Sequence, residues 1–105
     1  MNYRARLLEG KLTRYVEAFP CVALVGARQV GKSTLIEHLF GGRFRQFTFD
    51  PAQDLFGARA DPDLFLRHNP PPLILDEIQY APELVSAVKR HVDAHRAPGQ
   101  FVITG

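Results

Sequence analysis

Apolar positions along this chain fall into two rhythms, one of three- and four-residue spacing and one of short solid runs. In residues 2–19, Leu8, Leu12, Tyr15, Val16 and Phe19 recur at helical spacing, which predicts an amphipathic helix despite Gly10. Pro20 ends it. The run Cys21, Val22, Ala23, Leu24 and Val25 then reads as a buried strand. From Lys32 to Phe40, the side chains Leu35, Ile36, Leu39 and Phe40 share one helical face, and Gly41-Gly42 closes that helix. Residues 44–49, with Phe47 and Phe49 alternating around Thr48, predict a second strand. Asp50-Pro51 and Asp61-Pro62 each offer a capping carboxylate followed by proline at the first helical position, so two short helices are expected before His68. Asn69 and the three prolines at 70–72 force a fresh start at Leu73-Ile74-Leu75, a run suited to a buried parallel strand. Ala81-Pro82-Glu83 opens a helix carrying Leu84, Val88, Val92 and His95, Pro98-Gly99 stops it, and residues 101–104 make a fourth strand. Strands alternating with helices predict an α/β fold around a parallel sheet, whose ligand sites gather at the carboxyl ends of the strands.

Composition narrows the function classes. At 105 residues the chain has room for one domain. It stops directly after an apolar run, so it is expected to be the front part of something longer, incomplete after its fourth strand. The expected layout is a helix over residues 2–19 and a core over residues 20–105. A net charge of +2, with acidic and basic residues interspersed, gives no nucleic-acid signature. Arg4, Arg6, Lys11 and Arg14 share their segment with Glu9 and Glu17, the composition of a solvated helix face. The single cysteine, Cys21, cannot form an internal disulfide and suits a reducing interior as a small core hydrophobe. With no run near the ~20 apolar residues of a membrane span and no signal-peptide segment, a cytoplasmic protein is expected. His91 and His95 lie one helical turn apart, but without a third ligand at suitable spacing they read, like His38 and His68, as surface or core-edge residues.

The chemistry sits first in residues 26–33, Gly-Ala-Arg-Gln-Val-Gly-Lys-Ser, which fit the phosphate-binding pattern G-x-x-x-x-G-K-[ST] between a predicted strand and a predicted helix. Gly26 and Gly31 permit backbone conformations in which successive N–H groups turn inward around an anion. The following helix points its positive end at it. Gly26, Ala27, Arg28, Gln29, Val30, Gly31, Lys32, Ser33 and Thr34 are therefore the expected nucleotide-binding set. Lys32 would reach the β- and γ-phosphates, and the Ser33 hydroxyl would join the coordination shell of Mg²⁺. The second half is the strand ending in Asp76-Glu77. A carboxylate at that strand end can hold the Mg²⁺ shell opposite Ser33, and Glu77, where the chain leaves the sheet, can reach a water attacking the γ-phosphate as base or water-positioner.

Together, residues 26–33, Leu-Asp-Glu-Ile-Gln at 75–79 and Val-Ile-Thr-Gly at 102–105 resemble the prokaryotic AAA+-type P-loop ATPases, within a group of ATP-binding proteins to which Arg28-Gln29 and Ile78-Gln79 are particular. The resemblance identifies residues 26–33 with Walker A and residues 73–77 with Walker B and its catalytic glutamate. It further implies that the strand at 101–104 inserts between the two motif strands and that Thr104 lies near the γ-phosphate as a polar sensor. Ala27 stands where the group usually has proline, and Ser33 where threonine is commoner. Family members continue into a fifth strand, helices bearing an arginine finger and a C-terminal domain. The finger is thus expected from the rest of a longer chain or from a neighbouring copy in a homo-oligomer. Arg90 and Arg96 read as solvated helix residues instead.

These readings converge on Mg²⁺-dependent ATP hydrolysis by Lys32, Ser33, Asp76 and Glu77. The alternative is a nucleotide-binding switch or interaction module with little or no turnover, which would bind ATP without releasing phosphate. A small-molecule kinase shares the phosphate loop but gives no reason to place Glu77 beside Asp76.

Overall fold

A computed structural model describes residues 3–24 and 32–105. The strands β1 (Cys21–Leu24), β2 (Arg45–Thr48), β3 (Leu73–Asp76) and β4 (Phe101–Thr104) form one parallel sheet in the order β1-β4-β3-β2. The fold class is α/β, with β4 between β1 and β3 as the resemblance implied. Register runs straight across the sheet: Leu73 pairs with Phe101, and Phe101 with Cys21. Because side chains alternate along a strand, each face collects every second residue. Phe47, Leu73, Leu75, Phe101 and Ile103 pack with Phe65 and Leu66 of α3 (Pro62–His68) and Leu84 and Val88 of α4 (Pro82–Ala94). Val22, Ile74 and Val102 pack on the other face with Leu12 and Val16 of α1 (Tyr3–Ala18) and Ile36 and Phe40 of α2 (Lys32–Phe40). With both faces covered, β3 and β4 are buried at every position, which is why they are solid apolar runs.

α2 stops where expected. A Cβ at Gly41 would lie 2.5 Å from the Glu37 carbonyl oxygen, a contact only glycine avoids. α1 is shorter than its apolar pattern, and only Leu12 and Val16 of that stripe are fully buried. Tyr15 and Phe19 are exposed and rest on each other, with ring centroids 6.0 Å apart. Residues 50–60 depart further from expectation. Asp61 does cap α3, accepting from Leu64 N with Pro62 at the first turn. Asp50 caps no helix: its carboxylate accepts from Ala52 N and Gln53 N in a local turn, the competing use of an aspartate before proline. One 3₁₀ turn, Leu55–Gly57, comes next, with Phe56 left-handed at φ 57° and exposed. Asp54 accepts from Arg59 N and Ala60 N, bonds that hold its carboxyl below the usual range. His95 is likewise past the end of α4, as is Arg96.

Candidate functional site

The carboxyl end of the sheet is where polar residues replace the apolar runs. Each strand of the central pair ends in one: Asp76 on β3 and Thr104 on β4, 7% and 1% exposed. By strand alternation both belong to the face of Ile74 and Val102, the face that α2 covers. Burying a carboxylate demands compensation. Asp76 Oδ1 accepts from Thr104 Oγ1 and from the backbone N–H of Glu77, and Asp76 Oδ2 accepts from Thr48 Oγ1 at 3.3 Å. Thr48 is placed for this by register, since it pairs with Asp76 across β2 and β3. Its hydroxyl is in turn approached by Gln46 Nε2 at 3.4 Å.

Glu77 comes next with a left-handed backbone, φ 57° and ψ 45°, a conformation that costs an ordinary residue about 1–2 kcal/mol. The reversal turns the chain out of the sheet and into the 3₁₀ turn Ile78–Tyr80. Buried Ile78 anchors that turn in the core, and the Tyr80 N–H donates to the Glu77 carbonyl. The half-buried Glu77 side chain accepts from Gln79 Nε2 at 2.9 Å. Adjacent carboxylates thus face different surroundings, Asp76 locked among hydroxyls inside the sheet and Glu77 at its lip.

Of the expected site, Asp76, Glu77 and Thr104 come together. Thr104 spends its hydroxyl on Asp76. Gly26, Ala27, Arg28, Gln29, Val30 and Gly31 lie outside the described residues, as do the side chains of Lys32, Ser33 and Thr34, whose backbone opens α2. Two residues add to the sequence-based set. Thr48 was legible only as the polar position between Phe47 and Phe49, and its reach to Asp76 needs the β2–β3 register. Gln79 stood out for its resemblance alone, and its bond to Glu77 depends on the left-handed turn. Arg90 is not simply solvated: it pairs with Asp63 at 3.0 Å, bridging α3 and α4 on the surface. His91 and His95 stack at 4.8 Å, with His91 Nε2 3.1 Å from Gln100 Oε1. Cys21 is half-buried, and burial pushes its thiol up to about 11. Among the described residues, no helix is long and apolar enough to cross a membrane.

Two uncharacterized proteins, one from Mycobacterium bovis and one from Mycobacterium tuberculosis, are each 35% identical to this chain over 96 residues. That alignment covers 90% of the chain but only 22% of either relative, so the chain spans about a fifth of their length. No solved structure matches it. Residues 18–105 match the AAA domain family. With its parallel sheet in the order β1-β4-β3-β2 and its acidic strand end beside β4, this chain belongs to the AAA domain family.

Proposed function

We propose that residues 20–105, preceded by the N-terminal helix, are the nucleotide-binding core of a Mg²⁺-dependent ATPase that cleaves the β–γ bond of ATP. The observation that carries this reading is the buried Asp76 carboxylate at the carboxyl end of β3, on the sheet face of α2, whose chain enters from the Gly-Lys-Ser sequence. Family membership supports nucleotide binding as the general activity.

The donor set fits a hard cation. Asp76, Thr48 and Thr104 offer only oxygen, the chemistry of a Mg²⁺ site that keeps its waters and leans on one carboxylate plus substrate phosphates. Bound with ATP, Mg²⁺ would neutralise charge on the β- and γ-phosphates. Asp76 and Ser33 are the residues that would hold it. Lys32, with backbone N–H groups of residues 26–34, binds and orients the phosphates. Glu77, at the lip of the sheet, takes the proton of the attacking water or aligns that water. Thr104 donates to the Asp76 carboxylate and so orients the oxygen proposed to hold the metal, at the strand end where the resemblance sets it near the γ-phosphate. Phosphoryl transfer rests on positioning and charge stabilisation, and an arginine finger contributes about 10³- to 10⁵-fold. Arg90 pairs with Asp63 on the α3–α4 surface, and the resemblance assigns the finger to the rest of a longer protein or to a second copy.

The two carboxylates separate experimentally. Glu77→Gln keeps the size and is expected to leave ATP binding nearly unchanged while cutting turnover about 10²- to 10⁴-fold. Asp76→Asn is expected to weaken binding itself and to remove its Mg²⁺ dependence. ATP hydrolysis at the unmodified rate in Glu77→Gln would refute the assigned role.

A further inference from the structure

Gln79 is an exposed residue on a three-residue turn, yet its side-chain amide has a partner within that turn. Its Nε2 donates to Glu77 Oε2 at 2.9 Å. Its Oε1 lies against the backbone just past β4, where a Cβ on Gly105 would come within 2.7 Å of it. Side chains two residues apart do not face each other on a helix. Here they meet because left-handed Glu77 reverses the chain and the 3₁₀ turn folds Gln79 back toward it. The turn is fixed independently of this contact, by Ile78 in the core, by the Ala81 N–H donating to the Ile78 carbonyl, and by the Glu77 N–H donating to Asp76. The amide is therefore presented to Glu77 by a rigid frame and needs little further ordering to act on it.

We infer that Gln79 is a positioning residue: its amide holds the Glu77 carboxylate in one orientation at the lip of the sheet. This rests on the reading of Glu77 as base or water-positioner. A carboxylate on a flexible stem loses rotamer entropy when it orients a water, and a fixed donor makes that loss before the reaction starts. Glycine at position 105 leaves the amide its space, since a Cβ there would meet Gln79 Oε1 at 2.7 Å and Ile78 Cγ2 at 3.2 Å. Gln79 touches no reacting atom in this scheme and acts only through Glu77.

The test is single-turnover hydrolysis of ATP by the purified full-length protein that contains this chain, with ATP affinity and melting temperature measured on the same samples. Gln79→Leu removes the donor at similar size and is expected to slow the chemical step about 10- to 100-fold, with affinity unchanged within twofold and melting temperature unmoved. Gln79→Glu sets a carboxylate against a carboxylate and should fall at least as far. Gln79→Asn keeps an amide on a shorter stem and should lie between Gln79→Leu and the unmodified chain. A slow Glu77→Gln beside a full-rate Gln79→Leu overturns the positioning role and leaves the base intact. A Gln79→Leu loss matched by lost affinity or lost melting temperature overturns it as well, since that is a structural effect. Equal rates in the unmodified chain and Glu77→Gln overturn the base assignment itself.

Discussion

Both ends of the central strand pair bury polar side chains among apolar neighbours, Gln100 at one and Asp76 with Thr104 at the other, and they use them in opposite ways. At the amino end, Gln100 is 8% exposed. Its Nε2 donates to the carbonyls of His95 and Ala97, and its Oε1 meets His91 Nε2. A neutral amide has two donors and one acceptor oxygen, and all of them are engaged within the fold. Gln100 ties the chain leaving α4 to the start of β4, while its backbone N–H donates to the Pro20 carbonyl just before β1. At the carboxyl end, Asp76 is similarly buried but is a carboxylate, an acceptor with about four lone-pair positions. Among the described residues it takes three donors, from Thr104, Thr48 and the Glu77 N–H. Burial alone therefore does not mark a functional group. Among the described residues, what separates the two ends is charge and the acceptor capacity left over at Asp76.

That contrast can be broken by substitution, and Thr104→Val should have the largest effect on stability. The exchange is nearly isosteric and removes a buried hydroxyl from a buried carboxylate, at a cost of about 1.5–3 kcal/mol for a hydrogen bond to a charged group. It should also weaken Mg-ATP binding, because the carboxylate loses its orientation. Chemical denaturation with and without Mg-ATP reads both effects. Gln100→Leu should come next, at about 1–2 kcal/mol, because the His95 and Ala97 carbonyls lose their partner but sit where water can reach them. Here the stabilisation added by Mg-ATP should match that of the unmodified chain. Should Gln100→Leu lose nucleotide affinity as Thr104→Val does, the two ends are not functionally distinct. Thr48→Val is the smallest change, below about 1 kcal/mol, because its bond to Asp76 is long and the residue is exposed. A Thr48→Val loss as large as that of Thr104→Val would mean that the β2 edge, not β4, orients the carboxylate.

Much of this architecture was legible because burial writes itself into the sequence. β3 and β4 are covered on both faces and so are unbroken apolar runs, and the switch to Asp76 or Thr104 marks where each meets the site. α2 and α4 carry their buried positions at helical spacing, α2 up to its glycine stop and α4 from its proline start, though α4 ends at Ala94, short of Pro98-Gly99. The sheet order was not legible from spacing; the placement of β4 between β1 and β3 came from resemblance, and it is the order found. At the periphery the signals are degenerate. Aspartate before proline serves an N-cap at Asp61 and a local turn at Asp50, and the residues downstream decide between them: α3 buries Phe65 and Leu66 in its first two turns, while residues 51–54 are all exposed. Likewise Tyr15 and Phe19 fit the apolar spacing of α1 but stay exposed, with their rings against each other. The links to Asp76 from Thr48 and to Glu77 from Gln79 were out of reach, since one needs strand register and the other a left-handed residue that is not glycine.

The central claim, that this chain holds Mg-ATP between the Gly-Lys-Ser sequence and Asp76, is tested most directly by calorimetric titration of ATP with and without Mg²⁺ into the unmodified chain and Lys32→Ala. Binding is expected in the first and none in the second, with Mg²⁺ strengthening it. Nucleotide at a hundred times its dissociation constant should add about 2.7 kcal/mol to stability. A folded chain that takes up no heat at millimolar Mg-ATP, or a Lys32→Ala variant that binds as well as the unmodified chain, would contradict the account.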